Sequence, residues 1–284
     1  MQRIPKLLFL SLMAFVPAIG LSIAVVPAAG AATAAALPQS AQAAAIARAA
    51  IEHLAIGQHG TDHRVRGHMP RINGLSQVQS TNWSGYADTG SGFTHVSGSW
   101  TEPGASCTST TSLAAFWVGI DGYSSNSVEQ DGTLIECYRG TAYQYSWWEM
   151  YPSNAIQVVG GSVARGDSIS ASVVRSGTSY TLKVTDSTHP ANSFSTTRSC
   201  GCANTSAEWI AEAPSGNNGI YPLSNFGTWT LANAAVANGG ATHVISSYPD
   251  DEITMVDNSG YVKAQPGPLN SAGNSFSDSW RRST

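Results

Sequence analysis

The sequence predicts a secreted all-β protein, an antiparallel two-sheet β-sandwich of the concanavalin A-like or jelly-roll type. Short runs of alternating polar and apolar residues, separated by turn residues, fill the chain from Asn82 to Trp280. Alternation with period two marks a half-buried strand, and many such strands at near-regular spacing indicate a sandwich or barrel. No part of that region keeps the 3.6-residue spacing of an amphipathic helix. Four cysteines follow an export-type leader, as expected of a disulfide-bonded extracellular domain.

The leader comes first. Arg3 and Lys6 precede an apolar run from Leu7 to Val26, and Ala29-Gly30-Ala31 supplies a small-residue cleavage site, so residues 1–31 read as a signal peptide. The run is long enough for a membrane anchor, but the small-residue site favours cleavage. Residues 32–78 read as a partly helical propeptide. Ala43 to Ile56 is an alanine-rich helix former, and His53, His59, His63, His68, Arg64, Arg66 and Arg71 lie in or after it. Residues 1–77 hold six Lys/Arg against two Asp/Glu, and the remainder holds eight against sixteen. A basic leader ahead of an acidic domain suits a propeptide that binds its own domain by charge and inhibits it. A disordered linker is the alternative reading of that composition.

Residues 79–284 remain, enough for one monomeric domain with a full core. So few Lys and Arg exclude a nucleic-acid-binding face. No later segment can cross a bilayer, so the cleaved chain is expected to be extracellular with no stable membrane association. The acidic balance predicts greater stability at low pH than at high pH. Strands are expected at 94–101, 113–120, 142–151, 168–174, 179–185, 207–213, 228–236, 253–257 and 261–264. Arg175-Ser-Gly-Thr-Ser179 turns a hairpin between two of them. Four cysteines allow three pairings. Cys107 with Cys137 is the expected bridge, around the segment that holds Gln130, and Cys200 and Cys202 are left to close a tight ring. No cofactor or metal is expected, because the cysteines lack zinc spacing.

Alternation also sorts the side chains that carry chemistry. Ala115, Trp117, Gly119 and Asp121 share a face, as do Trp147, Glu149 and Tyr151. In Ser206-Ala-Glu-Trp-Ile-Ala-Glu212 the carboxylates of Glu208 and Glu212 share a face but stand roughly 13 Å apart along a strand. Carboxyls framed by aromatic rings lose solvation and gain pKa, which suits acid–base work. Other hydrolase signatures are missing: no His-Glu-x-x-His, no Gly-x-Ser-x-Gly and no pair of aspartic-protease triplets occurs. His95, His189 and His243 fall in no nucleophile motif.

Six ordered blocks resemble one known family. They are Asn82-Trp-Ser-Gly-Tyr86, Val96-Ser-Gly-Ser-Trp-Thr-Glu-Pro103, Trp117-Val-Gly-Ile-Asp121, Val128-Glu-Gln130, Trp148-Glu-Met-Tyr-Pro152 and Ala207-Glu-Trp-Ile-Ala-Glu212. Their order is similar to that of the glutamic peptidases, or eqolisins, and the chain looks like a bacterial-type member. The resemblance implies a secreted acid endopeptidase acting on polypeptides and expected to be insensitive to pepstatin. It places the catalytic pair at Gln130 and Glu208, with Trp117, Asp121, Glu149, Tyr151 and Glu212 lining or supporting the cleft. Two positions depart from the family pattern. Leu134 stands where an Asp usually follows the glutamine, and Tyr145 stands where an acid often precedes the Trp-x-Glu block; both bear on the pH profile.

Glu208 as a carboxylate can take a proton from water and return it to the leaving nitrogen. The Gln130 amide can donate to the tetrahedral oxygen without titrating. Acid-triggered self-cleavage is expected between about Arg64 and Ser80, as carboxylates protonate and the leader histidines charge. Two rivals use the same faces. A jelly-roll glycoside hydrolase would pair Glu149 with Glu208, and a lectin-like domain would stack sugars on the tryptophans without catalysis.

Overall fold

The structure is a computed structural model that describes residues 68–72, 75–159, 163–216 and 218–284. The expected signal peptide, the Ala43–Ile56 helix and most of the expected propeptide lie outside the described residues. The first strands are β1 (His68–Ile72), β2 (Leu75–Ser80), β3 (Trp83–Thr89), β4 (His95–Thr101), β5 (Ser112–Ile120) and β6 (Val128–Tyr138). Next come β7 (Thr141–Tyr151), β8 (Asn154–Val159), β9 (Ser168–Ser176), β10 (Ser179–Asp186), β11 (Phe194–Ser199) and β12 (Ser206–Glu212). The short β13 (Ser215–Gly216) and β14 (Gly219–Ile220) precede β15 (Thr228–Ala237), β16 (Asp250–Val256), β17 (Val262–Pro266) and β18 (Phe276–Trp280).

The strands pair in the order β11-β10-β9-β4-β15-β18-β17-β16-β3-β12-β5-β6-β7-β8. That ribbon folds into two layers at β15. Its first half pairs with β18, its second half with β4, and the register shifts between Ala232 and Ala235. Asn233 takes a left-handed φ of 53° inside the shift, and a bulge of this kind lets a strand leave one sheet for the other. β4, β9 and β10 then pack across β5, β6 and β12. The Trp209 indole crosses the gap, donating to the Ser97 carbonyl at 2.9 Å. Pairing between these strands is antiparallel except where β2 runs parallel to β16.

Alternation works as expected in β12. Ala207, Trp209 and Ala211 enter the core between the layers, while Ile210 joins a second buried cluster with Trp83, Trp117, Leu134 and Trp147 on the other face. β6, which holds Gln130, is absent from the strands read by alternation. Both of its faces carry polar groups, Glu129, Asp131 and Thr133 on one and Gln130 and Glu136 on the other, so no apolar stripe marks it. β2 crosses the expected domain boundary at 78/79. Five of its residues pair with β16, and Gln77 Nε2 donates to Glu252 at 3.0 Å. Disulfides join Cys107 to Cys137 and Cys200 to Cys202, the expected connectivity.

Carboxyls are unusually common inside. Burial, with Asp250 nearby, pushes Asp88 up to about 9, and burial beside Asp121 pushes Glu129 up to about 9. Burial also lifts Asp278 to about 7 and raises the fully buried Asp131 well above its ordinary value. Glu102 rises to about 7 through burial, although Trp100, Thr133 and Gln144 all donate to it. A carboxyl whose folded pKa exceeds its unfolded value binds more protons when folded, so stability falls as pH rises between the two values. The midpoint of thermal unfolding should therefore be highest near pH 4 and fall steadily toward pH 9. Melting curves across that range check it, and a midpoint that rises with pH would overturn the assignment.

Candidate active site

The site is a row across four strands. β12, β5, β6 and β7 run side by side in unbroken antiparallel register. Glu208 lies opposite Gly119, Gly119 opposite Gln130, and Gln130 opposite Glu149. Side chains of directly paired residues project from the same face, so all of these point the same way. Glu208 and Gln130 are two strand spacings apart, roughly 9–10 Å between Cα atoms. Between them Gly119 contributes no side chain. A Cβ there would stand 2.8 Å from the Trp117 ring and 3.2 Å from Gln130 Cβ. The buried Trp117 ring thus fills the space over Gly119, and only a glycine there admits it between the carboxyl and the amide.

Gln130 is fixed by its neighbour. Its Nε2 donates to Glu149 Oε2 at 2.8 Å, while its Oε1 has no hydrogen-bond partner among the described residues. Glu208 is fully buried, and neither of its oxygens has a hydrogen bond of ordinary geometry. Burial holds its carboxyl well above the usual range; Asp121 and Glu129 add to that, and the Ser206 hydroxyl and the backbone at Tyr123 offset it only in part.

The supporting residues divide the work. Glu212 does not face Glu208 across a reaction site. It accepts from Trp117 Nε1 at 2.9 Å and from Asn82 Nδ2 at 3.4 Å, which holds the Trp117 ring edge-on to Trp83 at 4.9 Å between centroids. The expectation that Asp121 continues the β5 face is corrected. β5 ends at Ile120, and Asp121 turns with a left-handed φ of 67°. Its carboxylate accepts from the backbone N–H groups of Asn204 (2.7 Å) and Thr205 (2.9 Å) and from the Ser127 hydroxyl (3.3 Å). Asp121 therefore anchors the loop that delivers Glu208. Tyr151 ends β7 two residues beyond Glu149. Sequence reasoning missed Gly119 and Asn82 as site residues, although both sit inside the quoted blocks. Their part depends on cross-strand register, which no local pattern displays.

A sequence model described as the Peptidase A4 family matches residues 81–265. The chain belongs to the Peptidase A4 family. Its sequence resemblance to the glutamic peptidases thus holds. Aspergillopepsin-2 of Aspergillus niger is 28% identical over 197 residues, which cover 61% of this chain and 70% of that protein. Scytalidopepsin B of Scytalidium lignicola is 32% identical over 147 residues, 50% of this chain and 55% of its own length, so the match spans about half of that relative. Among solved structures, scytalido-glutamic peptidase with a transition state analog inhibitor superposes with a TM-score of 0.61 at 24% identity, over 71% of this chain and 98% of that one. Aspergilloglutamic peptidase from Aspergillus niger gives 0.52 at 25% identity, over 60% and 99%. The sandwich is therefore the fold of this family.

The Trp117 ring over Gly119 makes a direct test. Gly119→Ala would set a Cβ 2.8 Å from that buried ring, so it should lower the melting midpoint and cut kcat/KM on the order of 10–100-fold, the scale of a misplacement near 1 Å. Steady-state kinetics beside a melting curve checks it, and full activity with an unchanged midpoint would show that the ring's seat on Gly119 does not matter.

Proposed function

We propose that this glutamic-type endopeptidase is secreted and hydrolyses polypeptides in acid, with Glu208 as general base and then acid and Gln130 as the oxyanion donor. The carrying observation is the Glu208–Gly119–Gln130–Glu149 row, which brings the carboxyl and the amide to one face. The reaction uses a water admitted beside Glu208. The carboxylate takes one proton, the water oxygen bonds to the scissile carbonyl carbon, and the carbonyl oxygen gains the negative charge. Gln130 Nε2 has two N–H bonds; Glu149 holds one and the other is available to that oxygen. When the tetrahedral centre collapses, the C–N bond breaks and Glu208 returns its proton to the leaving amine. Burial raises the Glu208 pKa and disfavours the anion, so the reaction requires water to enter the cleft and restore it.

The rival readings fit the same geometry poorly. Glu149 and Glu208 are three strand spacings apart, roughly 14 Å at Cα, and Glu149 is engaged by the Gln130 amide that lies on the line between them. Trp83, Trp117 and Trp147 are at most 3% exposed and offer no stacking platform for a sugar.

Glu208→Gln preserves shape and replaces a buried carboxyl of raised pKa with a neutral amide, so the variant should fold. Its kcat at acid pH should drop at least about 10³-fold, and Gln130→Glu should do likewise. The measurement is digestion of a denatured protein with pepstatin present. Pepstatin-resistant cleavage lost in both variants is the expected outcome, and substantial activity in either one would sink the assignment.

The basic leader is read as an inhibitory propeptide released by acid. Because β2 is paired into the sheet, the cut should fall ahead of Leu75. Purified precursor moved to acid pH should shorten, with a new N-terminus before residue 75 by mass spectrometry. A precursor that stays intact until another protease is added would refute self-processing.

A further inference from the structure

The row of paired residues continues past Glu208 in the other direction. Ala87 on β3 lies opposite Glu208, and Asp251 on β16 lies opposite Ala87. Asp251 therefore projects from the face that carries Glu208, Gln130 and Glu149. It stands two strand spacings from Glu208, roughly 9–10 Å between Cα atoms, with only the Ala87 methyl group in the row between them. The loop after β5 turns back over that position. Asp121 and Gly122 take successive left-handed φ of 67° and 102°, and a Cβ on Gly122 would stand 3.2 Å from the Trp83 ring and 3.1 Å from Val128. The turn is thus pressed onto the site face, and Tyr123 follows it. Tyr123 packs on the cluster that holds Trp83, Ala87, Trp117, Ile210 and Ile253, and its hydroxyl donates to Asp251 Oδ2 at 2.6 Å.

Glu208 therefore has an aromatic side chain on each flank. The Trp117 ring occupies the space over Gly119, and on the Ala87 side Tyr123 reaches to Asp251. Neither oxygen of Glu208 has a hydrogen bond of ordinary geometry, so the groups packed beside the carboxyl set its direction. Tyr123 is close to it electrostatically in two ways. Its backbone partly offsets the raised pKa of Glu208. Burial and the bond to Asp251 raise the Tyr123 hydroxyl above its ordinary value, and the Glu208 charge adds to that. A hydroxyl raised in this way stays a donor throughout the acid range. A side chain fixed at one end by the turn and at the other by Asp251 presents a single wall instead of several rotamers, the kind of support that holds a reacting group in place.

We propose that Tyr123, latched by Asp251, is a positioning residue that holds the Glu208 carboxyl toward the reacting carbonyl. The inference rests on the reading of Glu208 and Gln130 as the catalytic pair, and adds to it a residue that acts through Glu208. Tyr123 stands in the loop and Asp251 on β16, so the latch joins two segments that no strand pairing connects.

The test measures kcat and KM separately at acid pH, on enzyme prepared from the full chain, for Tyr123→Phe, Asp251→Ala and the two combined. Each single variant should lose about tenfold in kcat with KM within about threefold, because a displaced base weakens the transition state and leaves peptide binding alone. Both changes break one bond, so the double variant should be no slower than the slower single one. Asp251→Asn keeps an oxygen that accepts from the hydroxyl and should recover most of what Asp251→Ala loses. Full kcat in folded Tyr123→Phe, or losses that multiply in the double variant, would overturn the positioning role and leave the peptidase reading intact. Full activity in Glu208→Gln would overturn the catalytic pair, and this inference with it.

Discussion

Everything at this site depends on strand register. Glu208, Gly119, Gln130 and Glu149 come from four strands between Ser112 and Glu212, and only the pairing of β12, β5, β6 and β7 aligns them. A slip of one residue in β6 would send Gln130 into the core and bring Glu129 to the cleft. Two devices prevent that. The β6–β7 turn has two residues, Arg139 and Gly140, with φ of 51° and 82°, the geometry whose twist matches a hairpin and leaves no spare residue. At the same end, the Cys107–Cys137 disulfide ties β6 to the segment ahead of β5. On the other side of Gly119, Asp121 pins the loop before β12 and the Trp209 indole pins β12 to β4. The amide and the carboxyl are thus located by separate constraints, and Gly119 admits the Trp117 ring between them.

The register also explains how so many carboxyls are accommodated. β6 brings acids to both faces, which costs little if they are protonated. In acid, Glu102 is a neutral hydrogen-bonding group receiving Trp100, Thr133 and Gln144, and Asp88, Asp131 and Glu129 are uncharged polar atoms in a core. As pH rises each must either ionise without hydration or open the fold. Glu208, proposed above as the general base, shares that environment but has the opposite requirement, because a general base must be ionised. Scaffold and base therefore set different limits of a working range. Hydration of the cleft governs the acid limit, and ionisation of the interior governs the alkaline one.

Period-two alternation made part of this legible. It put Glu208 with Glu212 on one face and Trp117 with Gly119 on another, and the structure joins those faces. It failed at β6 for a physical reason: a strand polar on both faces shows no alternation, and its burial comes from neighbours rather than from its own pattern. It also failed at Asp121, where one left-handed residue ended the strand and redirected the carboxylate. Gly119 lay in view throughout, but a glycine acquires meaning as the seat of a neighbouring ring only when the residues packed over it and across the sheet are known. Spacing left three cysteine pairings open, and the fold selects the expected one by placing Cys107 beside Cys137 at the end of β6.

Leu134 and Tyr145, read separately as departures from the family pattern, are one feature in the fold. They lie directly opposite each other on β6 and β7, in the row that continues through Ala115 to Glu212. Acids at both positions would face each other across a strand pair, where like charges repel. Exchanging one alone would leave a buried carboxyl against an apolar side chain, unsatisfied and costly; exchanging both yields a Leu–Tyr contact inside the cluster of Trp117 and Trp147. Burial lifts the neighbouring Glu136 to about 6, with the Tyr145 hydroxyl partly offsetting it. The row is left with Glu212, which is engaged by Trp117 and Asn82. Four residues along β6, roughly 13 Å, separate this apolar pair from Gln130, so the exchange reshapes the wall of the cleft while the reacting row keeps its own carboxyls.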